Sequence, residues 1–198
     1  MNYGQLKTAV AGYAHRSDLE PLMDTFAELA ANRIGRDTRL LELERNATFV
    51  ADTDNTIPLP DRYMRMIAIT TPGATGPLSL EYVTPSYFDK LNNNGGNGPR
   101  YYTIEDNLIL LGPAGGEVNL TWQEKPTYFT NDNDTNEALA NWSNLYLYGM
   151  LIEAFEWAMD TNNMIRAFET YKREVRECNI QADDARASGA PLVMRGYP

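Results

Sequence analysis

The chain has 198 residues, 43% of them apolar and 11% aromatic, with 27 Asp or Glu against 17 Lys or Arg and a formal net charge of −10. That length allows one large domain or two small ones, each able to bury an apolar core, and the composition is far from that of a disordered chain. A single cysteine excludes an intrachain disulfide, the acidic balance argues against a surface that grips nucleic-acid phosphates, and no apolar run approaches the roughly 18 residues of a membrane span.

Met1 to Val10 lacks the basic start and apolar run of a signal peptide, so the cytosol is the expected compartment. Leu6, Ala9, Val10 and Tyr13 recur at helical spacing and predict a first helix. Ser17-Asp18-Leu19-Glu20 has the pattern of a capping box with Pro21 in the first turn. The repeat Leu19, Leu22, Met23, Phe26, Leu29, Ala30, Ile34 then predicts a second helix, ending near Gly35 in a left-handed cap, with Leu40 to Leu43 able to form another turn.

After Glu44 the pattern changes. Ala47–Val50, Tyr63–Thr70, Leu78–Val83, Arg100–Glu105, Leu108–Leu111 and Glu117–Glu124 are short runs rich in β-branched, aromatic or alternating residues, separated by turn signals such as Pro72-Gly73 and Asp106-Asn107. Short strands with tight connections predict an antiparallel sandwich or small barrel. Within this stretch Thr84-Pro85 followed by Ser86 to Leu91 predicts a short helix, with Thr as cap and Pro in the first turn. The Asn- and Gly-rich run Asn92 to Gly98 reads as an exposed tip.

Helical pattern returns after the polar loop Thr130 to Asn136. Leu145, Tyr148, Leu151, Ile152, Phe155 and Met159 predict one apolar stripe, broken at Asp160 to Asn163. Met164, Phe168, Tyr171, Val175, Cys178, Ala182 and Ala185 then alternate spacings of four and three, a heptad-like seam. Beyond Ser188-Gly189, residues Ala190 to Pro198 carry two prolines and no helical pattern. The expected class is α+β: a helical bundle built from both chain ends (1–43 and 128–189), an inserted antiparallel β-domain (44–127) and an extended C-terminal arm (190–198).

No constellation for catalysis or metal binding stands out. His15 is the only histidine and lies in a polar linker, which suits a surface or capping residue. Cys178 shares a periodic face with Phe168 and Val175, the usual setting of a small buried residue. Asp52-x-Asp54-x-Thr56 begins like a calcium loop but lacks its glycine turn and its terminal Glu, and Asn131 to Asp134 is oxygen-rich with nothing to organise it. Trp122, Tyr101 and Tyr102 have the chemistry to stack on sugar, yet alternating aromatics on strands are ordinarily sheet core. No cofactor or metal is expected. One charge feature is informative: Pro126 to Ile165 holds no Lys or Arg, while Asp132, Asp134, Glu137, Glu153, Glu156 and Asp160 are all acidic, as on a solvated face or a surface that repels phosphate.

The order of segments resembles the head-to-tail adaptor proteins of tailed bacteriophages over nearly the whole chain. The resemblance is carried by Asn32 to Arg39 (NRIGRDTR), Leu80 to Pro85 (LEYVTP), Pro99 to Ile104 (PRYYTI), Leu145 to Gly149 (LYLYG) and Ser188 to Arg195 (SGAPLVMR). It implies a non-enzymatic virion protein, assembled in the host cytoplasm, that forms a ring, commonly of twelve subunits, at the head-tail interface between the portal protein and a tail or nozzle protein. It also implies a C-terminal arm on the portal, with Leu192, Val193, Met194, Arg195 and Tyr197 making the contact, and subunit contacts on the helices from Asn141 to Ala187. The acidic residues of Pro126 to Ile165 are then candidates to line a channel through which double-stranded DNA passes without specific binding. The alternatives are another neck or tail-completion protein, or a virion-associated cell-wall hydrolase.

Overall fold

A computed structural model describes residues 1–92, 100–112 and 116–188. The arm from 190 and the tip from 93 to 98 lie outside the described residues. The protein is α+β, with two four-stranded sheets and six α-helices among the described residues. It forms two compact units: Met1–Leu43 with the described residues from Lys125 onward, and Glu44–Glu124.

Helix α1 spans Tyr3–Ala14 and buries Tyr3, Leu6 and Val10, leaving Tyr13 exposed. The buried face therefore starts at Tyr3 and fades before the last turn. Its N-terminus has the capping box, Asn2 with Gln5. The Ser17 pattern forms none, because a short 3-10 turn at Glu20–Leu22 precedes α2 (Met23–Asp37), and neither start has a side-chain cap. Nor does α2 stop at Gly35. That residue is buried inside the helix, which ends where Thr38 turns extended and its hydroxyl donates to the Ile34 carbonyl at 2.7 Å. A 3-10 turn follows at Leu41–Leu43.

The second unit contains β1 (Glu44–Val50), β2 (Thr56–Pro58), β3 (Tyr63–Thr71), β4 (Leu78–Ser79), β5 (Glu81–Tyr82), α3 (Pro85–Asn92), β6 (Tyr101–Glu105), β7 (Leu108–Leu111) and β8 (Glu117–Glu124). One sheet has the order β1-β8-β3-β4 and the other β2-β7-β6-β5. Val118, Leu120 and Trp122 alternate inward along β8 and share a core with Ile69 on one side and Ile57, Tyr102, Ile109 and Leu111 of the other sheet. The expected single strand Leu78–Val83 divides at buried Leu80, whose N–H donates to the Ile69 carbonyl. Residues before it pair with β3 and residues after it pair with β6. The β5–β6 pairing is parallel, contrary to the antiparallel expectation, because α3 lies between the two strands in the chain and serves as the crossover. Between β6 and β7, Asp106 and Asn107 both adopt positive φ (48° and 62°), the backbone of a two-residue hairpin turn.

The chain returns to helix with α4 (Glu137–Asn141), α5 (Ser143–Trp157) and α6 (Thr161–Ala187). The single stripe expected on α5 is incomplete: Tyr146, Leu147, Gly149, Met150 and Ala154 are buried along with Leu145, Leu151 and Ile152. Helices α1, α2, α4 and α6 all pack against it, so it is apolar nearly all round. At Gly149 a side-chain carbon would stand 3.0 Å from the Ala30 Cβ, which makes this the close approach of α2 and α5. The seam on α6 buries Tyr171, Cys178 and Ala182 and half-buries Met164, Phe168 and Val175, but stops there, since Ala185 is exposed.

Candidate interaction surfaces

The acidic run splits into local roles. Asp132 pairs with Lys7 at 2.5 Å. Asp134 organises the polar loop that looked frameless in sequence: its carboxylate accepts from the N–H and hydroxyl of Thr130 and from the Asn131 N–H, and those bonds hold its pKa below the usual carboxylate value. Glu137 is exposed in the first turn of α4. Glu153 is largely covered and pairs with Arg33 of α2. Asp160 caps α6 by accepting from the Asn163 N–H. Glu156 is exposed. The remaining predicted contacts, Leu192, Val193, Met194, Arg195 and Tyr197, lie outside the described residues.

Reactive groups are spoken for. Burial, with a contribution from the Glu42 carboxylate, pushes the Cys178 thiol up to about 12, so it stays protonated and inert near neutral pH. His15 is the left-handed cap of α1, its N–H donating to the Ala11 and Gly12 carbonyls. The Asp52 carboxylate accepts from the N–H groups of Asp54 and Thr56 and from the Thr56 hydroxyl, which closes a turn rather than a calcium site. Trp122 and Tyr102 are buried sheet core, each edge-on to a neighbouring ring, Phe49 and Tyr82 respectively. Among the described residues no group of three His, Cys, Asp or Glu is placed to hold a metal, and no helix is long and apolar enough to cross a membrane.

Two surface features of the helical unit were not foreseen. At the corner between α5 and α6, Met159 is 90% exposed with φ 56°, and Trp157 is 47% exposed. Along α6, Phe168, Tyr171, Val175 and Ile180 line a groove of about 550 Å³ whose rim carries Lys172 and Arg176. Periodicity assigned Met159 to the α5 stripe, and it carries no signal that an apolar residue one turn past the last buried position points outward.

A model of the SU10 adaptor protein family, a phage head-to-tail adaptor family, matches residues 1–195. The chain belongs to this family. No curated protein matches it. The family is one of structural phage adaptors, which makes this adaptor a virion component that interacts with other virion proteins. For an adaptor, the features that matter are exposed apolar side chains and unpaired charges, because these are what a protein partner covers. The inert thiol, the capping histidine and the closed Asp52 turn are then ordinary structural devices.

Proposed function

We propose that this chain is a ring subunit seated between the portal and the tail, completing the neck and bounding the path of the DNA. The observation that carries this is the family match, which spans both units of the chain. Leu192, Val193, Met194 and Tyr197 are the portal contacts, with Arg195 among them; a segment so apolar and without helical pattern is costly to leave in water. Each such side chain returns about 1.5–3 kcal/mol on burial, against roughly 1–2 kcal/mol of backbone entropy for every residue ordered. Backbone hydrogen bonds and lateral contacts between neighbours must therefore supplement the arm. The proposed ring has twelve subunits, with the tail or nozzle protein beneath. Of the acidic residues, Asp132 and Glu137 best suit a wall past which phosphate slides, since both are exposed, whereas Glu153 is largely covered and Asp134 and Asp160 are engaged in their own loop and helix cap.

The test is assembly on the cognate portal. The full chain should be largely monomeric alone and form a ring when portal is added, read as particle size and symmetry by electron microscopy. A chain truncated after Gly189 should keep its circular dichroism and fail to assemble. A stable ring of the full chain alone at micromolar concentration, or normal docking by the truncated form, overturns arm-first assembly.

A further inference from the structure

The α5–α6 corner puts apolar side chains where folding has no use for them. A left-handed residue at a helix end is ordinarily Gly or Asn, because a side chain there crowds its own backbone, yet the position holds Met159 at φ 56° and 90% exposed. Trp157, two residues before, is half exposed, with Arg16 over its ring at 5.0 Å, and Arg16 is itself paired with Asp18. The corner is stiff. The Ala158 N–H donates to the Ala154 carbonyl, the Met159 N–H to that of Glu156 and the Asp160 N–H to that of Phe155, while Asp160 caps α6. Tryptophan and methionine held out on a rigid corner are the residue types that anchor protein interfaces.

The chemistry that would receive this corner is present on the same chain. The α6 groove offers half-buried Phe168 and Val175, and Ile180, 54% exposed, over a floor that includes buried Tyr171. Of its acidic groups, Asp183 is paired with Arg186, while Asp37 accepts from the Tyr171 hydroxyl and keeps its negative charge. Lys172 lies over the Phe168 ring at 4.4 Å, and among the described residues no carboxylate pairs with it or with Arg176, so set against Asp37 the lining keeps a small excess of positive charge. The corner carries the opposite sign, with Glu156 exposed beside the two apolar residues. Met159 lies two residues before Thr161, where α6 begins, and from Thr161 to Phe168 the continuous helix runs about 10 Å. A copy therefore has no way to seat its own corner in its own groove.

We propose that the Trp157–Met159 corner of one copy docks in the α6 groove of a second copy, with Glu156 facing Lys172 and Arg176. Such a contact is heterologous: each copy gives its corner to one neighbour and its groove to the other, the arrangement that closes into rings. The proposal rests on the reading of this chain as a ring subunit, and it moves Glu156 from the channel wall to the subunit contact.

Cysteine pairs test it, with the buried Cys178 of the parent chain as the background. Met159→Cys protein mixed with Ile180→Cys protein, alone at rising concentration and on cognate portal, should give a disulfide-linked dimer that neither gives by itself. The double variant should give a ladder of higher species. Adding Lys172→Glu and Arg176→Glu to the Ile180→Cys chain should abolish the cross-link, and Glu156→Lys in the Met159→Cys chain should restore it. Circular dichroism checks that each variant is folded. Self-linking by Met159→Cys as readily as in the mixture, or no cross-link above the parent, overturns the proposal. So does a cross-link that appears only after truncation following Ser188, which would make the chain's own arm the occupant. If rings form on portal without this cross-link, the contact is wrong and the ring reading stands; if the cross-link forms and no ring does, the reverse holds.

Discussion

Cys178 and Gly149 show how single residues report their surroundings. Burial raises the Cys178 thiol above its ordinary value, to about 12. The native thiol should resist iodoacetamide at pH 8 and react readily in denaturant, as followed by mass spectrometry. The linkage has a definite sign: because the folded pKa lies above the unfolded one, this group's contribution to stability is complete below about pH 9 and is lost as pH rises towards 12. Gly149 has no such chemistry and acts through space alone. Alanine there gains about 1 kcal/mol of helix propensity, but its methyl meets the Ala30 methyl at 3.0 Å between two packed helices, and overpacking costs about 1–3 kcal/mol. Gly149→Ala should lose about 1 kcal/mol net in urea unfolding, and a gain would show that α2 gives way.

At the scale of elements, polar side chains at helix ends hold the helical unit together. Asn136 is 7% exposed; its carbonyl oxygen accepts from the Leu139 N–H to start α4, and its amide donates to the Thr127 carbonyl and to the hydroxyl of fully buried Tyr146. Asn136→Ala removes a cap and strands a buried hydroxyl, so it should cost about 2–3 kcal/mol. A double-mutant cycle with Tyr146→Phe, measured by denaturant melts, should show a coupling above about 0.5 kcal/mol. The α5–α6 corner predicts the opposite sign. Met159→Gly relieves a left-handed side chain at an exposed site and should raise the monomer's stability by about 1 kcal/mol, while lowering the yield of rings on portal. A variant both more stable and fully competent in assembly would show that the corner has no partner.

Across the whole molecule, the net charge of −10 and the cation-free stretch from Pro126 to Ile165 give the proposed conduit role a direct test. Duplex DNA at physiological salt should show no measurable binding in a mobility-shift or anisotropy titration, because binding by phosphate neutralisation needs clustered cations. Tight binding with a steep salt dependence would sink the picture of a passive conduit. The β-rich unit Glu44–Glu124 has its own apolar core and no cysteine. Expressed alone, it should melt cooperatively with a β-type circular dichroism spectrum, and a coil spectrum would show that it needs the helical unit to fold.

Much of the local structure was determined by the sequence by itself, because it depends on neighbours along the chain. The 3.6-residue repeat placed α2, α5 and α6, Thr84-Pro85 started α3, and Asp106-Asn107 turned the hairpin, each through backbone preferences that act over a few residues. The family was legible too, in short strings kept in order. What the tertiary structure decided depends on partners far along the chain. Periodicity does not distinguish a helix buried on one stripe from one enclosed by four others, so the burial of Tyr146, Leu147 and Met150 and the exposure of Met159 emerge only when α1, α2, α4 and α6 are in place. Glu153 read as a free surface acid until folding set Arg33 against it from 120 positions away. The groove on α6 is likewise a property of packing: Phe168 and Val175 share a seam with Cys178, and Asp37, far away in sequence at the end of α2, joins them in the lining.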